Sequence, residues 1–225
     1  RRQRQMCIRD SCSSLSMNDK KPNLELAYSL KSVQDNRELY ASWAEDYDQD
    51  FASEMDYILP SRVAQIFLDV GGKGPVLDVG AGTGLVGHAL SKLGVQPIDA
   101  MDLSRAMLNV ASKKGIYRNL FSADITQPVE TVSETYRGII SSGTFTHGHV
   151  GPGGIDHLLP LAQTGAHFVL AINKIHWAEK GFSEKLETLA GSISKPVMHD
   201  IEIYGKNSKG DHSKDLGIAV IFQKL

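Results

Sequence analysis

Residues 76–87 read VLDVGAGTGLVG, and this stretch decides the fold class. The apolar run at its start is typical of a short buried strand, and the glycines that follow mark a turn before a helix. Glycine at Gly80 or Gly82 permits positive φ angles and lets the backbone approach a ligand without a side chain in the way. The free N–H groups at the start of the next helix favour an anionic group on that ligand. The stretch therefore predicts a strand, a ligand-binding turn and a helix in succession.

The same alternation continues along the chain. We predict further strands at 97–103, 119–125, 137–145 and 166–173, and helices at 85–93, 104–113 and 156–163. Strands that alternate with helices of about ten residues form βαβ units and a parallel sheet.

The two ends of the chain depart from this alternation. Two helices, at 36–51 and 61–70, are expected before the first strand. The runs at 198–204 and 217–225 are strand-like, and no helix is expected in the polar loop between them, so they should pair as an antiparallel hairpin at the sheet edge. We therefore predict an α/β fold. It is a doubly wound, mostly parallel, seven-stranded Rossmann-like sheet with N-terminal helices and a C-terminal antiparallel hairpin.

The composition is that of an ordinary globular domain. The chain has 225 residues, of which 41% are hydrophobic and 22% are charged, and single cores of this size are common. No apolar run approaches the roughly 18 residues that a membrane span requires, so we expect a soluble, cytoplasmic protein without a membrane partner. The formal net charge of −2 argues against nucleic acid as a partner, since such proteins usually carry a basic footprint.

The first residues, RRQRQMCIRDSCSSLS, differ from the rest in composition. They have neither the amphipathic stripe of a transit peptide nor the apolar core of a secretory signal. We interpret 1–16 as a non-native or disordered tail, 17–34 as a flexible lead-in and 35–225 as the domain; a functional basic arm is the alternative. Both cysteines, Cys7 and Cys12, lie in this tail, so the remaining sequence has no thiol for a disulfide, a metal cage or a nucleophile.

The glycine pattern is shared by two classes of enzyme. Gly82, Gly84 and Gly87 satisfy the spacing G-x-G-x-x-G, and Asp102 follows about 20 residues later, as in nicotinamide-dinucleotide sites. Three features argue against a nicotinamide-dinucleotide site. Asp78 stands where dinucleotide sites have an apolar residue, helix-forming sequence precedes the first strand, and a reversed hairpin follows the last parallel strand. All three match class I methyltransferases, which this sequence resembles at VLDVGAGTGLVG.

Three further stretches make the resemblance more specific. They are LYASWAEDYDQD (39–50), IDAMDLSRAML (98–108) and GIAVIFQKL (217–225). With them the chain resembles the methyltransferase-like proteins named for the Williams–Beuren chromosomal region and their bacterial relatives. The resemblance implies S-adenosyl-L-methionine as the cofactor. Its methionine part would lie on the loop from Asp78 to Gly84, its ribose hydroxyls would bind Asp102, and its adenine would lie at 123–125.

The residues that the resemblance assigns to the cofactor are Asp78, Gly80, Ala81, Gly82, Gly84, Asp102, Leu103, Met107, Ala123, Asp124 and Ile125. A carboxylate suits the ribose because it offers two acceptor oxygens to adjacent donors. Two plainer interpretations stay open. Asp102 could be an acidic residue that interacts with a helix dipole, and Asp124 could be an exposed turn residue.

The methyl acceptor is expected outside the carboxyl ends of the strands. The loop 143–154, GTFTHGHVGPGG, follows the fourth strand and should form one wall. Residues predicted to line this part are Phe145, His147, His149, Asn173 and His176. Either His147 or His149 could act as a general base, although alignment alone can accelerate transfer from a sulfonium; a hydrogen-bonded loop histidine is the alternative. No third ligand accompanies this pair, so we expect no metal.

Aromatic residues on the first helix could close over the cofactor. Tyr40, Trp43 and Tyr47 recur at helical spacing, which is also typical of a core stripe. Tyr40 and Tyr47 are the better candidates for a lid, because hydroxyl tips favour a wet or ligand-facing position.

The leading hypothesis from the sequence is methyl transfer to a small or medium organic acceptor at oxygen, nitrogen or sulfur, with a protein side chain as a possible acceptor. The exit of the fourth strand lacks the Asn/Asp-Pro-Pro-Tyr motif of amide and adenine-amine methyltransferases. Two alternatives stay open: a methyltransferase-fold subunit that binds the cofactor without turnover, and an NAD(P)-dependent dehydrogenase.

Overall fold

The computed structural model describes residues 33–45, 47–53, 55–146, 150–209 and 211–225. The tail at 1–16, nearly all of the lead-in at 17–34, and both histidines of the candidate base, His147 and His149, lie outside these residues. The domain boundary near residue 35 therefore stays a prediction.

The described residues form one seven-stranded sheet with helices on both faces. The strands are β1 Val76–Val79, β2 Ile98–Asp102, β3 Leu120–Ser122, β4 Tyr136–Phe145, β5 Ala162–Asn173, β6 Val197–Glu202 and β7 Leu216–Gln223. The α-helices are α1 Val33–Trp43, α2 Leu59–Asp69, α3 Leu85–Lys92, α4 Arg105–Lys113, α5 Gly154–Leu158, α6 Lys174–Lys180 and α7 Phe182–Thr188. A π-helical turn spans Tyr47–Ser53, and 3-10 turns span Leu159–Leu161 and Asp211–Lys214.

The strand order is β3-β2-β1-β4-β5-β7-β6. β1 to β5 pair in parallel, whereas β7 is antiparallel to both of its neighbours, β5 and β6. The predicted α/β fold with its antiparallel C-terminal hairpin is thereby confirmed. All four residues of β1 are buried, because the central strand of such a sheet is covered on both faces.

Alternate residues of the strands point to opposite faces of the sheet and pack into two separate hydrophobic cores. Leu77 and Val79 pack on one face with the stacked rings of Phe168 and Phe222, whose centroids are 4.6 Å apart. Val76 packs on the other face with Phe67 of α2. This two-sided burial fixes β1 in place, so the turn that follows it leaves the sheet at a defined position at the carboxyl edge.

Several predicted boundaries were wrong. The helix predicted at 156–163 ends at Leu158, because Pro160 has no N–H to continue it, and β5 begins at Ala162 rather than at 166. The helix predicted at 36–51 is interrupted after Trp43 and resumes as the π-helical turn. The loop between β6 and β7, in which no helix was expected, contains the short 3-10 turn at Asp211–Lys214.

None of the helices in the described part of the chain is long and apolar enough to cross a bilayer.

Candidate active site

A cavity opens at the carboxyl ends of β1, β2 and β4. It encloses about 1040 Å³, counting the open solvent at its mouth. Its walls come from the glycine loop (residues 80–84), the end of β2, the turn after β3, the end of β4 and a segment before the sheet. The lining residues are Tyr40, Tyr47, Tyr57, Pro60, Val79, Gly80, Ala81, Gly82, Thr83, Leu85, Val86, Met101, Asp102, Leu103, Ser104, Met107, Ala123, Asp124, Ile125, Thr126, Ser142, Gly143, Thr144 and Val150.

Backbone hydrogen bonds hold the glycine loop against β2. The N–H groups of Gly80 and Ala81 donate to the carbonyl of Met101 at 2.7 and 3.1 Å. Gly82 has a φ of +54°, and a Cβ placed on it would meet nothing within 4 Å. Since Gly82 also lines the cavity, the missing side chain leaves space that a ligand can use.

Asp102 is fixed in the cavity wall by the backbone on either side of it. One carboxylate oxygen accepts from the Gly82 N–H at 2.8 Å and the other from the Ser104 N–H at 2.7 Å. Burial raises the pKa of Asp102, while these two hydrogen bonds oppose the rise. Each carboxylate oxygen can accept more than one hydrogen bond, so both can still accept from a ligand.

Asp78 does not line the cavity but lies beneath the glycine loop. One of its oxygens accepts from the Gly87 N–H at 3.1 Å and from the Tyr117 hydroxyl at 2.6 Å. The other has no hydrogen-bond partner among the described residues. Burial raises the pKa of Asp78 to about 7, although both hydrogen bonds act against this. Gly84 is also absent from the lining; a Cβ there would meet the ring of Tyr117 at 2.9 Å.

The turn after β3 supplies the opposite wall. Ala123, Asp124 and Ile125 all line the cavity, as do Leu103 and the buried Met107 from the β2–α4 region. One oxygen of Asp124 accepts from the backbone and the hydroxyl of Thr126 at 2.8 and 2.7 Å. Both of these hydrogen bonds go to the same oxygen of Asp124.

A segment before the sheet, the roof segment (residues 40–57 without 46 and 54), closes the cavity. Tyr40 and Tyr47 line the cavity with their ring centroids 6.0 Å apart, whereas Trp43 is 1% exposed and belongs to the core. Asp48 joins this segment to the rest of the site. Its carboxylate accepts from the Thr83 hydroxyl at 2.5 Å and pairs with the Lys114 ammonium at 2.6 Å.

Three residues predicted to line the acceptor pocket have other contacts. Phe145 is fully buried and packs edge-on against Phe182, with ring centroids 6.0 Å apart. The Asn173 side chain caps α6 by accepting from the N–H groups of Ile175 and His176. His176 donates from Nε2 to the carbonyl of Val150 at 3.0 Å, and it is Val150 that lines the cavity.

The exit of β4 supplies lining residues that the sequence analysis did not assign. Pairing with β5 shifts between Ser141 and Phe145, and Gly143 has a φ of +82°. The Thr144 hydroxyl donates to the carbonyl of Val79 at 3.0 Å. This irregularity, the β4 bulge (residues 142–144), turns Ser142 toward the cavity, as bulges beside active sites commonly do. Tyr57, on the roof segment, faces Ser142 with 3.3 Å between their hydroxyl oxygens.

Comparison with known proteins agrees with this geometry. Residues 76–163, from the first residue of β1 into β5, match the family model described as a methyltransferase domain. This part of the chain, which contains the glycine loop and Asp102, is therefore similar to a methyltransferase domain. In sequence it is similar to methyltransferase-like protein 27 of Homo sapiens, with 30% identity over 141 residues. The aligned part covers 60% of this chain and 57% of the human protein, so the chain spans little more than half of that relative.

Solved structures share the fold of the methyltransferase domain. The TehB-like S-adenosylmethionine-dependent methyltransferase of Corynebacterium glutamicum has a TM-score of 0.57 at 21% identity, over 81% of this chain and 98% of that one. The N-methyltransferase NodS of Bradyrhizobium japonicum, solved with S-adenosyl-L-homocysteine, has a TM-score of 0.54 at 13% identity, over 73% of this chain and 85% of that one. The cofactor predicted from the sequence, S-adenosyl-L-methionine, is named for the Corynebacterium enzyme, and S-adenosyl-L-homocysteine is bound in the Bradyrhizobium structure.

The residues of the methyltransferase domain suit this cofactor. The open space at Gly82 accommodates a ligand beside the loop, and the Asp102 carboxylate stands at the wall next to it. Most predicted cofactor residues meet in this one cavity: Tyr40, Tyr47, Gly80, Ala81, Gly82, Asp102, Leu103, Met107, Ala123, Asp124 and Ile125.

Proposed function

We propose that this chain transfers the methyl group of S-adenosyl-L-methionine to a small or medium organic acceptor through an oxygen, nitrogen or sulfur nucleophile. The observation that carries the proposal is the Asp102 carboxylate, which two backbone N–H groups hold at the cavity wall beside the open glycine loop. The absence of a long apolar run and the slightly negative net charge support a cytoplasmic protein that acts without nucleic acid or membrane.

The proposed roles follow the walls of the cavity. Gly80, Ala81 and Gly82 would hold the methionine part with their backbone, and Asp102 would accept hydrogen bonds from the ribose hydroxyls. Asp124 would accept from the adenine amine, with Ile125 and Met107 against the ring. When bound, S-adenosyl-L-methionine supplies an electrophilic methyl group on a sulfonium.

The protein's contribution to the reaction would be positional. The roof segment and the β4 bulge both line the cavity; the first would exclude water from one side, and the second would form the side where an acceptor approaches. Correct alignment of a nucleophile with the methyl carbon accelerates transfer strongly by itself. A role for His147 or His149 as a base stays a prediction, because both lie outside the described residues.

Binding and turnover need separate tests. Calorimetric titration with S-adenosyl-L-homocysteine should give a heat signature, and NAD(P) should give none. Transfer of labelled methyl groups to pools of small acceptors would then separate an enzyme from a subunit that only binds. A protein acceptor is the alternative, and labelling of protein fractions instead of small compounds would favour it. Binding of NAD(P) but not of S-adenosyl-L-homocysteine would contradict the proposal.

Replacing Asp102 tests the ribose contact. Asp102→Ala should weaken binding of S-adenosyl-L-homocysteine by about 1–3 kcal/mol, because the sugar hydroxyls lose a charged acceptor. Asp69→Ala is the matched control, since Asp69 lies at the exposed end of α2 and accepts a hydrogen bond from Gln65, its partner among the described residues. If calorimetry gives the two variants equal affinity, the proposal that Asp102 binds the ribose hydroxyls is wrong.

A further inference from the structure

The β4 bulge lies against the first glycine of the loop. The hydroxyls of Ser141 and Thr144 lie 2.8 and 3.0 Å from the carbonyl of Val79, which directly precedes Gly80. A Cβ on Gly80 would overlap the Thr144 hydroxyl. The bulge is therefore tied to the part of the loop proposed for the methionine half of the cofactor, and lies on the side of the reactive methyl.

Tyr57 covers this bulge from the roof segment. Its hydroxyl lies 3.3 Å from that of Ser142, and a Cβ on Gly143 would lie only 3.0 Å from it. Tyr57 is anchored apart from the other roof tyrosines by an antiparallel bridge to Tyr204 and by ring packing at 5.8 Å. Burial raises the pKa of Tyr57, while its hydrogen bond with Ser142 lowers it. The net rise keeps this group a neutral hydroxyl at physiological pH.

Two adjacent hydroxyls suit a neutral polar group. When the Tyr57 hydroxyl donates to Ser142, the Ser142 hydroxyl keeps its own hydrogen to donate and a lone pair to accept with. A ligand hydroxyl or neutral amine, which both donates and accepts, satisfies such a pair.

The surrounding walls indicate the rest of the molecule. The cavity that contains the pair is also lined by the rings of Tyr40 and Tyr47 and by the aliphatic Pro60, Val86 and Val150. Aromatic walls pack well against flat rings. Among the described lining residues, the charged ones are the carboxylates Asp102 and Asp124, which repel an anionic acceptor.

We propose that Tyr57 and Ser142 form the acceptor subsite, and that the acceptor is an uncharged, ring-sized compound whose nucleophilic hydroxyl or amino group this pair binds. This inference rests on the proposed methyl transfer. In that transfer the acceptor's lone pair forms the new bond to the methyl carbon. The carbon–sulfur bond breaks with its electron pair left on sulfur, and the acceptor's proton leaves to solvent.

Matched acceptors test the charge of the substrate. Catechol and aniline are compared with 3,4-dihydroxybenzoate and 4-aminobenzoate, using labelled S-adenosyl-L-methionine and the full chain. The neutral compounds should be methylated with kcat/KM at least about tenfold above their carboxylated counterparts. Equal or faster methylation of the carboxylated compounds overturns the proposal. So does a lack of methylation of every compound by protein that binds S-adenosyl-L-homocysteine. A chain that does not bind S-adenosyl-L-homocysteine contradicts the proposed function itself.

Matched variants test the hydroxyl pair. Tyr57→Phe and Ser142→Ala should each raise KM for catechol about tenfold, which is the effect of one lost hydrogen bond, and leave the affinity for S-adenosyl-L-homocysteine unchanged. Tyr204→Phe keeps the ring that packs against Tyr57 and removes a hydroxyl outside the cavity lining, so it should leave KM unchanged. If Tyr57→Phe fails to fold, Ser142→Ala carries the test alone. Unchanged KM in the folded variants, or an equal loss of cofactor affinity, overturns the assignment.

Discussion

Asp78 and Asp99 lie on adjacent parallel strands, β1 and β2, and both are completely buried. Asp99, near the start of β2, accepts from Arg118 at 3.0 and 2.7 Å, from Tyr136 at 2.8 Å and from the Asn119 N–H at 3.0 Å. Burial raises the pKa of Asp99, but these hydrogen bonds together outweigh it and hold the pKa below its usual value.

Asp78, near the end of β1, has the opposite balance. One of its oxygens lacks a partner among the described residues, and burial raises its pKa to about 7. Neither side chain has solvent-accessible surface, and the two sites differ in that Asp99 has a cationic partner and more hydrogen bonds. The carboxylate near the amino edge of the sheet is therefore well satisfied. The one near the carboxyl edge, where the cavity lies, keeps an oxygen without a hydrogen-bond partner among the described residues, and functional sites often contain such groups.

The largest expected difference is in folding stability. Asp99→Ala should lower the free energy of unfolding by on the order of 3 kcal/mol, because it leaves several buried donors and part of a cation without a partner. Asp78→Asn should change it by less than about 1 kcal/mol at pH 7, since an amide resembles the protonated acid that this site already favours. Urea unfolding of the two variants measures both values; similar losses would end the distinction between the two carboxylates.

The pH dependence of stability should have opposite signs at the two sites. The folded pKa of Asp78, about 7, lies above its ordinary value of 3.8, so folding favours its protonated form. Its contribution is therefore largest below pH 4 and is lost as the pH rises toward 7, by at most about 1.4 kcal/mol per pH unit. The contribution of Asp99 is present above its ordinary pKa and is lost as the pH falls through its lowered folded value. Unfolding of wild type and Asp78→Asn from pH 4 to 8 checks this, and parallel curves would refute it.

The smallest expected effect on stability concerns the two tyrosines that donate to these carboxylates, Tyr117 to Asp78 and Tyr136 to Asp99. Tyr117→Phe and Tyr136→Phe each remove one hydrogen bond and should each cost about 1 kcal/mol of stability. Since the Tyr117 hydroxyl lowers the pKa of Asp78, its removal should raise that pKa further. The pH range over which stability falls should then move upward in Tyr117→Phe only. Urea unfolding of both variants from pH 6 to 9 measures the shift, and an equal shift in Tyr136→Phe would contradict it.

The sequence predicted the parts of the molecule that local pattern determines. The strand, glycine loop and helix at 76–92 follow from neighbouring residues, and so does the Ser104 cap of α4, whose hydroxyl accepts from the Met107 N–H. The parallel order of the sheet follows from the alternation of strands and helices. Asp102 was found because its spacing from the loop is part of a known pattern.

Residues brought together from distant segments were not predictable in the same way. Tyr57 lies in irregular chain without a periodic pattern, and its partner Ser142 is 85 positions away. Between Ser141 and Phe145, β4 has two more residues than the matching stretch of β5 between Leu170 and Ile172. This bulge depends on pairing with a distant strand, so the sequence did not indicate that Ser142 would line the cavity. Asp78 was assigned to the cofactor from its motif, but only the fold shows that it lies one layer beneath the loop.

The contacts of Asp48 with Thr83 and Lys114 limit where this chain can be truncated. The region that matches the methyltransferase family begins at residue 76, yet this carboxylate, with Tyr40, Tyr47 and Tyr57, lies well upstream of that point. A fragment trimmed to the family boundary would lack the roof segment, and with it the wall of the cavity that Tyr40, Tyr47 and Tyr57 form in the intact chain. Truncation studies and fusion designs should therefore keep the chain from at least residue 33 onward.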